Sequence, residues 1–150
     1  MPLNIEELRA LVGSEVGVGE WREVTQDMIA AFAEVSGDRQ WIHTDVERAR
    51  AESPFGATVA HGFLTLSIMP RLLADAVMVG GDFTFSVNYG VNRVRFPAPV
   101  IAGTRIRARV TLNAMKECPN HLEVVWDVVL ERECGGKPAL VAEWLVRKYL

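Results

Sequence analysis

The eight residues Ser36-Gly37-Asp38-Arg39-Gln40-Trp41-Ile42-His43 place a carboxylate and an imidazole five positions apart on one short polar turn. Such a pair can hold a water molecule and move its protons near neutral pH, because imidazole changes charge there. In an apolar cleft the turn is the working part of an enzyme; on the surface it is a polar loop. Taken singly, Asp38 reads as a helix-ending turn residue and His43 as a loop histidine bonded to backbone. A second histidine, His61, opens an apolar run at Ala60-His61-Gly62-Phe63. His43, Asp45 and His61 have the residue types of a metal site without a tight ligand spacing, so no metal is assigned.

Elements on both sides must position that turn. Thr25 is expected to cap a helix whose apolar stripe is Met28, Ile29, Phe32 and Val35, and Gly37 to stop it. Asp45 caps a brief second helix to about residue 51, and residues 53–56 form a loop. A long helix is expected over 62–79, apolar on most sides and hence buried, with Pro70 kinking or restarting it. Residues 5–12 read as a weak helix ended by Gly13, and 16–24 as a short strand.

From residue 82 the apolar period becomes two: Phe83, Phe85, Val87, Tyr89 and Val91, then Ile106 to Leu112, Leu122 to Leu130, and 139–149. Pro119-Asn120 and Gly135-Gly136 are the turns. The layout is α+β in a single domain over residues 1–150: one buried helix early, a long antiparallel sheet late. A curved sheet wrapped around the helix satisfies both burial patterns, and leaves the sheet's other face and edge for dimerisation.

Composition bounds the partners. The chain is 49% hydrophobic and 23% charged with a net charge of −3, an ordinary globular balance with no basic excess for nucleic acid. Arg105, Arg107 and Arg109 form a basic stripe that reads first as the solvent face of a strand, second as a contact for an anionic substrate tail. Residues 1–7 show no secretory pattern, and the greasy run 62–69 is too short to span a membrane. Cys118 and Cys134 lie at opposite ends of one hairpin arm, roughly 40 Å apart if extended, so no bridge is expected and a cytoplasmic location follows. Trp126 and Trp144 read as core or interface packing, and His121 as a solvated turn residue.

Three segments carry a family resemblance. Phe32-Ala33-Glu34-Val35-Ser36-Gly37-Asp38 with Ile42-His43 and Ala49 resembles the hydratase-2 signature of MaoC-like dehydratases. Ala60-His61-Gly62-Phe63 and Arg93-Val94-Arg95-Phe96-Pro97-Ala98-Pro99-Val100 agree with it in order and spacing, from about residue 16 to 150. The branch it resembles most holds nodulation protein N-like proteins and bacterial (R)-specific enoyl-CoA hydratases.

The resemblance implies a hot-dog fold, a homodimer, and syn addition of water to a trans-2-enoyl thioester carried by coenzyme A or acyl carrier protein. Asp38 and His43 map onto the family's catalytic pair and Gly62 onto its oxyanion-hole amide. No metal or redox cofactor is implied; coenzyme A is part of the substrate. The family's usual Asp-x-Asn-Pro reads Asp38-Arg39-Gln40-Trp41 here, a subfamily character that alters turn geometry and pocket shape. Gln40 keeps the amide, Trp41 and Phe63 either line the acyl pocket or pack in the core, and His61 either touches substrate or is structural. Asn88, with Tyr89, sits on a strand that could face the cleft, and Arg95, with Arg93, either meets the coenzyme A phosphates or is an ordinary edge-strand charge. The alternatives are a hot-dog thioesterase, and a non-catalytic hot-dog subunit of a heterodimeric dehydratase.

Overall fold

Strict alternation in the second half builds the sheet. In a computed structural model describing residues 2–150, strands β3 (Phe85–Arg95), β4 (Arg105–Cys118), β5 (His121–Arg132) and β6 (Leu140–Tyr149) pair antiparallel. Two short strands, β1 (Glu15–Val18) and β2 (Arg22–Glu23), both add to β4, and the order across the sheet is β1-β4-β5-β6-β3. Met1, which begins the segment read for a leader, lies outside the described residues. Ile106, Ala108, Val110 and Leu112 of β4 face inward with Val124, Trp126, Val128 and Leu130 of β5 and Leu140 of β6, all almost fully buried. Trp126 and Trp144 are register partners on this inner face, both buried. Bulges at 112/114 and twice in β3 bend the sheet.

The five helices of the described residues are α1 (Ile5–Ala10), α2 (Gln26–Ser36), α3 (Trp41–Thr44), α4 (Val46–Glu52) and α5 (Gly62–Ala76). Helix α5 lies against β1, β4 and β6, burying Leu64, Thr65, Met69, Leu72 and Leu73. A helix held in the concave face of an antiparallel sheet is the hot-dog arrangement. It runs unbroken through Pro70 but ends at Ala76, short of residue 79. It is also less enclosed than its composition suggests: Phe63, Ser67, Arg71 and Ala74 form an exposed stripe.

Other expectations shift in detail. The strand read at 16–24 divides into β1 and β2, because the chain there passes tightly under the end of α5. A Cβ at Gly17 would overlap the Ala76 carbonyl, and one at Gly19 would press on Leu72 and Asp75. On α2 the buried positions are Ile29 and Ala33, with Met28 and Phe32 packed beside them, whereas Val35 is 86% exposed. The basic stripe is indeed the outer face of β4, and its charges are matched: Arg105 to Glu133, Arg107 to Glu131, Arg109 to Glu131 and Glu15. Little net positive charge remains for an anionic tail. His121 is not simply solvated: its ring packs by Tyr149 and its Nε2 is buried. Both cysteines are free. No helix among the described residues is long and apolar enough to cross a membrane.

Candidate active site

Local chemistry sets Asp38 at the end of α2. Thr25 caps the helix start by accepting the Met28 N–H at 3.2 Å. Gly37 stops it with φ 76°, a left-handed conformation that glycine takes without a Cβ clash. Ser36 Oγ donates to the Phe32 carbonyl and accepts the Asp38 N–H at 3.2 Å. The Gln40 side chain then folds back, its Nε2–H donating to Asp38 Oδ1 at 3.2 Å, with the Gln40 backbone N–H at 3.4 Å.

His43 does not sit on an open turn but within α3, a single helical turn, and is buried. Its Nδ1 lies 2.6 Å from the Val59 carbonyl oxygen. A carbonyl only accepts, so Nδ1 carries a hydrogen, and in the neutral ring the lone pair is on Nε2. Gln26 braces α3 from behind, donating to the His43 carbonyl at 2.9 Å while accepting from Thr58 Oγ1.

The third element is the start of α5. His61 is its N-cap residue but makes no side-chain cap bond; its Nε2 instead donates to the Asp38 carbonyl at 2.8 Å. The ring stacks on His43, centroids 3.7 Å apart at 22°, and meets the edge of Phe32 at 5.0 Å. Gly62 is the first helical residue, and its N–H has no acceptor among the described residues. Asp38, His43, His61 and Gly62 thus border one pocket of about 290 Å³, walled by Phe32, Phe63 and Phe96.

One functional atom each from Asp38, His43 and His61 lies within 4.8 Å of the others. Asp45, suspected beside the two histidines, is not part of this cluster; its carboxylate caps α4 through the Arg48 N–H. Gln40's amide is the main influence holding the Asp38 carboxyl below the usual carboxylate range; partial burial opposes it, and the two histidines assist. Removing that amide in Gln40→Leu is expected to move the Asp38 titration upward, as read by carboxyl 13C NMR against pH. The sign follows because the depressed carboxyl favours the folded state above its unfolded value and loses that contribution as pH falls through the folded one.

The remaining candidates separate. Phe63 lines the pocket and is 68% exposed. Trp41 is not among the residues that line it within one chain; its ring lies under the Arg48 guanidinium at 4.3 Å. Gln40 contacts Asp38 without lining the pocket. Asn88 and Tyr89 border a different cavity, with Leu66, Met69 and Trp144 between α5 and β3. Arg95 and Arg93 border a groove with Asp127 and Glu143. Within one chain, neither Asn88 nor Arg95 joins Asp38. Phe96, not singled out from sequence as a site residue, belongs to the pocket; its place in the third resemblance segment was the available signal.

Against known proteins, residues 7–133 match the family described as MaoC like domain. A "3-hydroxyacyl-thioester dehydratase Z" of Mycobacterium tuberculosis is 43% identical over 145 residues, 96% of this chain and 95% of that protein. A "Nodulation protein N" of Rhizobium leguminosarum bv. viciae is 40% identical, covering 95% and 89%. Among solved structures, a MaoC-like dehydratase from Rhodospirillum rubrum superposes with TM-score 0.74 at 25% identity, covering 98% and 97%. An (R)-hydratase of A. caviae gives TM-score 0.63 at 25% identity, covering 86% and 94%. The chain belongs to the MaoC-like domain family.

Proposed function

We propose that this enzyme, of the dehydratase and hydratase class, reversibly adds water to trans-2-enoyl-CoA thioesters and gives (R)-3-hydroxyacyl products. The observation that carries the reading is that Asp38, His43 and Gly62, whose N–H has no acceptor among the described residues, border one pocket with phenylalanine walls. Asp38 and His43 hold a water beside the β-carbon, and one of them takes its proton as the oxygen adds. The thioester oxygen gains enolate charge as this happens. The Gly62 N–H, at the positive end of α5, donates to it. A proton returns to the α-carbon from the same face, the enolate collapses, and atoms balance with water as the only addition.

Phe32, Phe63 and Phe96 offer the acyl chain an apolar wall. The names of the Mycobacterium and A. caviae proteins, a 3-hydroxyacyl-thioester dehydratase and an (R)-hydratase, support the substrate class and the stereochemistry. The carrier is coenzyme A or acyl carrier protein, as part of the substrate, and the reaction as written uses no metal or redox cofactor. We also place the enzyme in the cytoplasm, as a homodimer formed through β3. That edge strand exposes Phe85 (57%), Val87, Tyr89 (55%) and Val91, apolar area that a second copy would cover. The test is to supply trans-2-enoyl-CoA and follow loss of the enoyl absorbance alongside free thiol. Hydration removes the first without releasing the second; thiol release would move the reading to a thioesterase.

A further inference from the structure

The three groups assigned above lie on three separate elements, and one side chain touches all of them. His61 donates its Nε2–H to the Asp38 carbonyl, stacks flat on His43, and is peptide-bonded to Gly62. We propose that His61 is a positioning residue: its Nε2–H ties the Asp38 turn to the start of α5 and so fixes the carboxylate relative to both His43 and the Gly62 N–H. The inference rests on the hydratase reading and adds to it.

Two observations support it. The other hydrogen bonds of Asp38 are local, reaching only Ser36 and Gln40 two residues away; the bond to His61 spans 23 positions. Without it, the turn after Gly37 has no hydrogen bond, among the described residues, to the helix that carries Gly62. The second is a cost. With the hydrogen on Nε2, the lone pair of Nδ1 is buried and has no partner among the described residues, in a side chain only 4% exposed. Leaving a buried acceptor unsatisfied destabilises a fold, whereas an apolar ring of similar shape would not. Between the edge of Phe32 and the face of His43, a phenylalanine would pack without that penalty. What the imidazole offers that phenylalanine lacks is the Nε2–H.

The test compares His61→Phe, which keeps a stacked ring and removes the donor, with His61→Gln, which places an amide N–H near the same point. His61→Phe is expected to fold with a melting temperature near that of the wild type, since losing the unpaired Nδ1 offsets the Asp38 carbonyl left without its donor. Its kcat is expected to fall about 10–100-fold with KM little changed, as small misplacement of a reacting group has effects of that size. His61→Gln is expected to regain most of the kcat. Wild-type kcat in His61→Phe, equal losses in the two variants, or a rise in KM alone would each overturn the proposal.

A readout independent of turnover is the 15N NMR tautomer of His61 in the wild-type protein. The Nε2–H form supports the tether and the Nδ1–H form overturns it, whether or not either variant folds. Asp38→Asn assayed in parallel keeps the two claims apart. A fully active Asp38→Asn defeats the hydratase mechanism itself, while an inactive one beside a fully active His61→Phe defeats only the tether.

Discussion

Asp38→Asn is expected to lower the hydration rate by about 10²–10⁴-fold, the usual range for a positioned acid–base group. The substitution is nearly isosteric. Asparagine retains an oxygen for the Gln40 amide and leaves the Asp38 backbone contacts to Ser36 and His61 in place. The melting temperature should therefore hardly move, and the loss should appear in kcat more than in KM. His43→Ala is the harsher companion, because it also empties a buried, stacked position and frees the Val59 carbonyl. Steady-state kinetics with thermal melts separates the two. Wild-type kcat in a folded Asp38→Asn would remove the carboxylate from the mechanism.

The second large effect is expected at Gly62, where backbone geometry allows the N–H to be deleted. Proline is tolerated at the first position of a helix, since that N–H has no intrahelical partner. His61 before it has φ −59° and ψ 138°, within the range that a following proline permits. Gly62→Pro should therefore fold, yet lose the proposed oxyanion donor, and kcat should fall about 10²–10³-fold. Gly62→Ala is the control: it keeps the N–H and adds only a Cβ, 3.2 Å from the Phe96 ring. Phe96 is 40% exposed and free to give, so alanine should change the rate far less than proline. Equal effects in the two variants would mean that crowding against Phe96, not a missing donor, explains the loss.

What the sequence made legible was mostly local or periodic. Asp38 and His43 stand out because Gly37 and Ser36 shape the turn within a few positions, and β4 and β5 because every second residue is apolar. The two readings of Trp41 stay level in the sequence because α3 is a single turn, too short for any apolar period, and only the fold shows that His43 lines the pocket while Trp41 packs against Arg48. Val35 completed a helical stripe by spacing, but Gly37 ends α2 before anything packs over it. Asn88 reads as cleft-facing from a simple alternation that two bulges in β3 interrupt. The bond from His61 to the Asp38 carbonyl left no trace in residue types, because a backbone acceptor is the same at every position.

The central claim is that one pocket, bordered by Asp38, His43 and Gly62, activates water against a conjugated thioester. Its most direct test is incubation of the purified protein with crotonyl-CoA, followed by chiral analysis of the acyl product. Enoyl absorbance is expected to fall without thiol release, and the product to be (R)-3-hydroxybutyryl-CoA. An (S)-product, or an unchanged enoyl spectrum at high enzyme concentration, would contradict it.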